Sequence, residues 1–116
     1  MSEYDLLVHV DDNDPKRLEL ALTNVANYTA ALPGEDFQVA LVVNGPGVQL
    51  LTGSQEALAR TGAELMEKGL TVKACRNALR KFGIGEDELW PGIQVVPAGI
   101  VEIVKLQRSG FVYLRP

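Results

Sequence analysis

Short apolar runs rich in Val, Leu and Ile alternate with segments of helical periodicity along the whole chain, and this alternation is the strongest guide to the fold. The runs predict five strands, at residues 6–10, 37–43, 70–74, 93–96 and 111–114. Strands that are apolar on both faces and separated by helices are typical of a parallel sheet covered on both sides. We therefore expect an α/β fold, a three-layer α/β/α sandwich around a mostly parallel five-stranded sheet, whose strand order stays open.

Helix boundaries follow from the residues that flank the periodic segments. Asp14 is expected to cap a helix that begins at Pro15 and ends before the Pro-Gly pair at 33–34. Ser54 is expected to cap a second helix, and shorter helices are predicted at 78–82 and 99–107. The apolar segment 100–106 is predicted to lie in the core, with an oligomer contact as the alternative for part of it. Trp90 either seals the core or fills a subunit interface.

Length and composition exclude several classes of function. The chain of 116 residues predicts one domain, residues 1–116, because two halves would each be too short for a useful core. Eleven basic against fifteen acidic residues give a net charge of −4, which argues against nucleic acid as a partner. No apolar run approaches the roughly 20 residues that span a bilayer, and we expect neither a signal peptide nor membrane association. The single Cys and single His predict a cytoplasmic protein without disulfide, metal or other cofactor.

The predicted topology gathers the residues that carry chemistry. Ligands of open parallel sheets bind outside the carboxyl ends of the strands. The loops that meet there carry residues 9–12, 44–47, 75–77 and 97–99. These segments are far apart in sequence, but a parallel sheet brings them to one edge, and we expect a site at that edge.

Cys75 is the strongest candidate in these loops. It follows a strand and precedes a helix, where backbone N–H groups favour a thiolate, and Arg76 adds a positive neighbour. A thiolate attacks sulfane sulfur and then carries it as a persulfide. The alternative is that Cys75 is a small buried apolar residue without a reaction.

Five segments, spread in order over essentially the whole chain, resemble the DsrE/DsrF-like family. They are residues 7–10, 42–48, 73–79, 96–102 and 110–114. The resemblance implies a three-layer sandwich with a parallel five-stranded sheet and assembly into trimers or hexamers. It also implies a cysteine after the third strand that carries sulfur as a persulfide, and Cys75 stands at that place. Possible partners are then a protein that donates the sulfur and one that accepts it.

Other residues near the same edge are secondary binding candidates. His9 ends the first strand, where it either tunes Cys75 or packs as a hydrogen-bonded histidine. The turn that begins with Asn44 and Gly45 either presents backbone amides to an anion or is a plain tight turn. Asn77 either hydrogen-bonds a sulfur species or caps its helix, and capping is the safer prediction.

Two functions remain after these exclusions. The leading hypothesis is a sulfur-handling protein, a sulfurtransferase or a carrier without turnover, that accepts and transfers sulfane sulfur on Cys75. The alternative is a non-catalytic module that binds a small ligand or a protein and in which Cys75 has no role.

Overall fold

Five parallel strands form a single sheet in the computed structural model of the chain, which describes residues 2–116. The strands are β1 (Leu6–Val10), β2 (Val39–Val43), β3 (Leu70–Cys75), β4 (Gln94–Val96) and β5 (Val112–Leu114). The helices are α1 (Pro15–Ala30), α2 (Glu56–Glu67), α3 (Arg76–Lys81) and α4 (Gly99–Arg108), with short 3-10 segments at Gly45–Leu51 and Glu86–Glu88. The predicted fold class is confirmed.

The order of the strands across the sheet is β4-β3-β2-β1-β5. The first three crossovers all step in one direction, and right-handed crossovers therefore place α1, α2 and α3 on one face. The last crossover runs back from β4 to β5 across the whole sheet, so α4 lies alone on the opposite face, against β1, β2 and β3.

The main core fills the space between the sheet and the α1–α2 layer. Alternate residues of the three central strands point into it, and apolar residues of α1 and of the first 3-10 segment meet them. The largest of these fully buried side chains are Val8, Val10, Leu18, Leu22, Leu41, Val43, Val48, Leu50, Leu51 and Leu79.

Trp90 seals one end of this core. It is buried, and its indole N–H donates a hydrogen bond of 3.0 Å to the carbonyl oxygen of Thr52. Gly62 of α2 lies so close that a Cβ atom there would stand 2.5 Å from the indole ring. The core alternative for Trp90 is therefore the one that the fold shows.

Two predicted helix caps have different outcomes. Asp14 caps α1, because its side chain accepts a hydrogen bond of 3.0 Å from the amide of Lys16. The prediction for Ser54 is wrong: α2 begins after Gln55, and the Ser54 hydroxyl lies 2.8 Å from that of Thr52 instead. The Thr52 and Ser54 hydroxyls bond to each other in the turn before α2, so neither of them caps the helix.

The outer face of α4 is apolar and exposed. Ile100, Val101 and Val104 are 68%, 53% and 49% exposed, so the prediction that they lie in the core is wrong. The helix contacts the sheet through its other side, on which Gly99 and Ile103 lie. The physical reason is topological, because α4 has no neighbouring helix on its face of the sheet. Within residues 2–116, no helix is long and apolar enough to cross a membrane.

Candidate functional site

The carboxyl edge of the sheet brings together residues from four separate segments. Val43 of β2 pairs with Ala74 of β3, so the next residues, Asn44 and Cys75, are neighbours across the parallel ladder. Side chains at matched positions of parallel strands point to the same face. Asn44 and Cys75 therefore share a face of the sheet, as the predicted topology requires.

Cys75 occupies the junction between β3 and α3. It is the N-cap residue of α3, in an extended backbone conformation, and it is 7% exposed. Its thiol makes no capping hydrogen bond to the helix, and within the described part of the chain it is a free cysteine. The predicted position at a strand end before a helix is confirmed, and the thiol is nearly enclosed there.

Gly99, the first residue of α4, covers Cys75 and Asn44. A Cβ atom at position 99 would lie 2.9 Å from the Asn44 Cβ and 3.3 Å from the Cys75 Cβ. Such short distances leave no room for a side chain, so glycine is what permits α4 to begin against the site. Both Cβ atoms stand about 3 Å from one point, so the side chains of Asn44 and Cys75 begin next to each other.

His9 is only 8% exposed, and both nitrogens of its ring are in hydrogen bonds. Its Nε2 lies 2.8 Å from Oδ1 of Asn44, and its Nδ1 lies 2.6 Å from the hydroxyl oxygen of Tyr113. The structure thus joins His9 to Asn44, as the clustering of the loops predicted. His9 is thus a hydrogen-bonded histidine, and its partner Asn44 is the residue beside Cys75.

Tyr113 is a site residue that the sequence did not indicate. It lies on β5, where it pairs with Leu7, two residues before His9 on β1. Tyr113 reaches His9 only because β5 returns to the far edge of the sheet beside β1. Since the strand order could not be derived, the sequence carried no signal that joins these two residues.

Arg76 and Asn77 are the first two residues of α3. The Nε atom of Arg76 pairs with a carboxylate oxygen of Glu86 at 3.3 Å, on the exposed surface. Asn77 is exposed and is the second residue of α3, so the prediction that it caps the helix is wrong. Cys75 holds the N-cap position because β3 continues one residue further than predicted.

The backbone of the turn at Gly45 contacts other residues of the same chain. Gly45 has a φ of 55°, in the left-handed region that favours glycine, and it begins a 3-10 helix. The amide of Gly47 donates a hydrogen bond of 3.2 Å to the carbonyl oxygen of Asp11. This arrangement agrees with a tight structural turn, because that amide is already used within the chain.

Two ion pairs hold the elements around the site. Arg115 forms two hydrogen bonds to the Asp11 carboxylate, at 3.0 and 2.8 Å, and they lower the pKa of Asp11. The same contact raises the pKa of Arg115. Lys73 of β3 lies beneath α4 and pairs with Glu102 at 2.5 Å, both side chains being about 15% exposed. The first pair ties β5 to the loop after β1, and the second ties α4 to the sheet.

Within residues 2–116, Cys75 is not part of a metal-binding cluster, and the crevice between α1 and α2 lies away from it. No group of three or more His, Cys, Asp or Glu side chains within these residues could hold a metal ion. A crevice of about 440 Å³ lies between α1 and α2 and is lined by Val25, Phe37 and Leu70 among others. It opens at the amino ends of the strands, on the opposite edge from Cys75, so it is separate from the candidate site.

Comparison with known proteins assigns the chain to a family. The DsrE/DsrF-like family profile matches residues 6–116, and the chain belongs to that family. No protein among the curated ones matches the sequence.

Two solved structures are similar to the chain over nearly its whole length. A protein of unknown function from Methanobacterium thermoautotrophicum is 34% identical, with a TM-score of 0.89 over 97% of this chain and 99% of that one. A conserved protein of unknown function from Bacteroides thetaiotaomicron is 14% identical, with a TM-score of 0.74 over 97% of this chain and 94% of that one. Both similarities support the fold.

Proposed function

We propose that this protein accepts sulfane sulfur on the Sγ atom of Cys75, holds it as a persulfide and passes it to an acceptor thiol. The observation that carries the proposal is the position of Cys75, the sole cysteine of the chain, at the carboxyl edge of a DsrE-like sheet. Ligands of parallel sheets bind at this edge. The family is linked to sulfur relay, which fits a thiol at this position.

The reaction balances without a cofactor. The Cys75 thiolate attacks the terminal sulfur of a donor persulfide, the sulfur–sulfur bond of the donor breaks, and the donor thiolate leaves with the electron pair. Cys75 then carries one additional sulfur atom, and no net oxidation or reduction has occurred. The onward step is the same exchange, with the acceptor thiolate as the attacking group and Cys75 as the leaving thiolate.

Burial of the thiol sets the size of the donor. Cys75 is 7% exposed and Gly99 lies directly over it, so a small persulfide reaches the sulfur more readily than a bulky one. Burial of this kind also favours the alternative function, in which Cys75 is an unreactive part of the core. Thiol chemistry therefore separates the two functions.

The test is the intact mass of the reduced protein after incubation with inorganic polysulfide. We expect a gain of about 32 Da for each sulfur atom carried. The gain should be absent in Cys75→Ser and should be removed by a reductant. A small exposed thiol in the same tube shows that the donor is active. Modification of that thiol without a mass gain on the protein would favour the binding module.

We also propose that copies of this chain assemble through the outer face of α4. The face carries Ile100, Val101 and Val104, all about half exposed or more. A surface that covers this face must be apolar, and the same face of a second copy of the chain is apolar. Contact between two identical faces is two-fold symmetric, so it joins two trimers into a hexamer, whereas within a trimer, which the family resemblance also implies, this face meets a different surface of the next subunit.

Sedimentation velocity tests the assembly. Val104→Glu places a charge in the centre of the face, and we expect the oligomer to dissociate. Leu20→Glu is the matched control, because Leu20 is 46% exposed on α1, on the other side of the sheet. A wild-type protein that sediments as a monomer at all accessible concentrations would refute the proposal.

A further inference from the structure

A chain of hydrogen bonds runs beneath α4 from β5 to the end of β2. The Tyr113 hydroxyl meets Nδ1 of His9, and Nε2 of His9 meets Oδ1 of Asn44, at 2.6 and 2.8 Å. Both distances are those of well-formed hydrogen bonds. The last member of the chain, Asn44, stands beside Cys75.

The donor and acceptor roles along this chain follow from the chemistry of its ends. An amide oxygen only accepts, so the proton of the imidazole lies on Nε2 of His9 and is donated to Asn44. The Nδ1 atom of the neutral ring is then an acceptor, and the Tyr113 hydroxyl donates to it. Each of the three groups therefore has one fixed role.

Fixing the oxygen of an asparagine also fixes its nitrogen. With Oδ1 of Asn44 held against His9, the Nδ2 group points the other way; it makes no hydrogen bond to another described residue, and it is open to solvent. Turning the amide by half a rotation would require the Nδ1–H tautomer of His9, with the Tyr113 hydroxyl as acceptor, so the tautomer of His9 reports which end of the amide faces Cys75. The relay thus keeps two N–H donors free.

The free amide belongs to the side chain that the sheet register places next to Cys75. Asn44 and Cys75 follow the paired residues Val43 and Ala74, and their Cβ atoms both crowd the same point at Gly99. A sulfur anion is a hydrogen-bond acceptor, and hydrogen bonds to charged groups are stronger than neutral ones. The persulfide of Cys75 is larger than its thiolate, and it carries its negative charge on the terminal sulfur, farther from the Cys75 Cβ.

We propose that Asn44 donates its amide N–H groups to the anionic terminal sulfur on Cys75, and that Tyr113 is a positioning residue that acts through His9. This role rests on the proposed persulfide function. Asn44 is the group that touches the transferred sulfur, whereas His9 and Tyr113 determine which end of its amide faces Cys75. The relay selects for an anionic sulfur species over a neutral one.

The first measurement concerns the relay alone and does not depend on sulfur transfer. The chain has a single histidine, so its ring ¹⁵N resonances in the NMR spectrum belong to His9 without ambiguity. We expect the Nε2–H tautomer in the wild-type protein and a mixture of tautomers in Tyr113→Phe. An Nδ1–H tautomer in the wild type would overturn the proposal, because the Asn44 amide would then point its oxygen at Cys75.

The second measurement is the rate at which Cys75 takes sulfur from inorganic polysulfide. We expect Asn44→Asp, which replaces the amide nitrogen by an anionic oxygen, to lower this rate about tenfold or more. Tyr113→Phe should lower it roughly threefold to tenfold, because the amide is then free to rotate. Tyr28→Phe is the matched control: the Tyr28 hydroxyl donates to Tyr4 O at 2.8 Å, and its loss should leave the rate unchanged.

The outcomes separate the two proposals. A wild-type protein that gains no sulfur, while His9 shows the expected tautomer, would refute the persulfide function and with it the role of Asn44 in sulfur binding. A wild-type protein that gains sulfur at the same rate as Tyr113→Phe and Asn44→Asp would refute the relay and leave the persulfide function standing. A slowed Tyr113→Phe whose melting temperature equals that of Tyr28→Phe would support a positioning role over a structural one.

Discussion

Replacing Gly99 by alanine tests whether the close approach of α4 builds the site. A methyl group at this position would lie 2.9 Å from the Asn44 Cβ and 3.3 Å from the Cys75 Cβ. Ordinary contacts between carbon atoms are about 3.5–4.0 Å. Both neighbours are Cβ atoms fixed directly to the backbone, so no rotamer change relieves the clash and the start of α4 must move.

The expected loss of stability is the difference between two effects. Overpacking of this kind costs about 1–3 kcal/mol. Alanine in place of glycine returns about 0.5–1 kcal/mol through helix propensity and the entropy of the unfolded chain. We therefore expect Gly99→Ala to lower the free energy of unfolding by about 1–2 kcal/mol and the melting temperature by roughly 5–10 °C.

Urea unfolding and calorimetry at one protein concentration measure this loss. Gly53→Ala is the matched control, because no atom lies within 4 Å of a Cβ built there and the variant should be as stable as the wild type. The displaced helix start should also change the rate at which iodoacetamide alkylates Cys75 in the native protein. Gly99→Ala that is as stable as Gly53→Ala, with unchanged alkylation, would refute the close approach.

Two further predictions concern the ion pairs around the site. Lys73→Met leaves the Glu102 carboxylate unpaired beneath α4 and should cost about 1–3 kcal/mol in urea unfolding, whereas adding Glu102→Leu should recover part of the loss. The Arg115 hydrogen bonds lower the pKa of Asp11 in the folded protein. The pair therefore stabilises the fold fully above the pKa of Asp11 in the unfolded chain, about 4. This contribution is lost as the pH falls through the lower pKa of Asp11 in the folded protein. Arg115→Gln should make the loss of stability at acid pH slightly shallower, because the pair is exposed, and added salt should reduce the difference.

Local patterns predicted the elements of this fold well, because each depends on residues close in sequence. The five strands, the Asp14 cap and the position of Cys75 at a strand end follow from apolar runs and from turn residues. The prediction for segment 100–106 failed for the opposite reason. An apolar helix face looks the same in sequence whether a second layer of helices covers it or not.

The candidate site was predictable only as far as the carboxyl edge of the sheet. That edge is common to all parallel sheets, so it placed His9, Asn44 and Cys75 near one another before the strand order was known. The link from Tyr113 to His9 spans 104 residues and depends on β5 lying beside β1. No periodicity or spacing in a single sequence carries that information.

The return of the chain from β4 to β5 is what joins the site to the apolar face. This crossover lays α4 alone over the sheet, so Gly99 at its start closes over Cys75 while Val104 further along is left without a partner. The same crossover delivers Tyr113 to His9 at the far edge. A displacement of α4 therefore acts on three features together: the cover over the thiol, the relay to Asn44 and the surface offered to a second copy. Since the Lys73–Glu102 pair holds the middle of α4 to the sheet, its loss should change Cys75 alkylation and sedimentation in the same variant. Independent responses of the two would show that the site and the assembly face are not coupled through this helix.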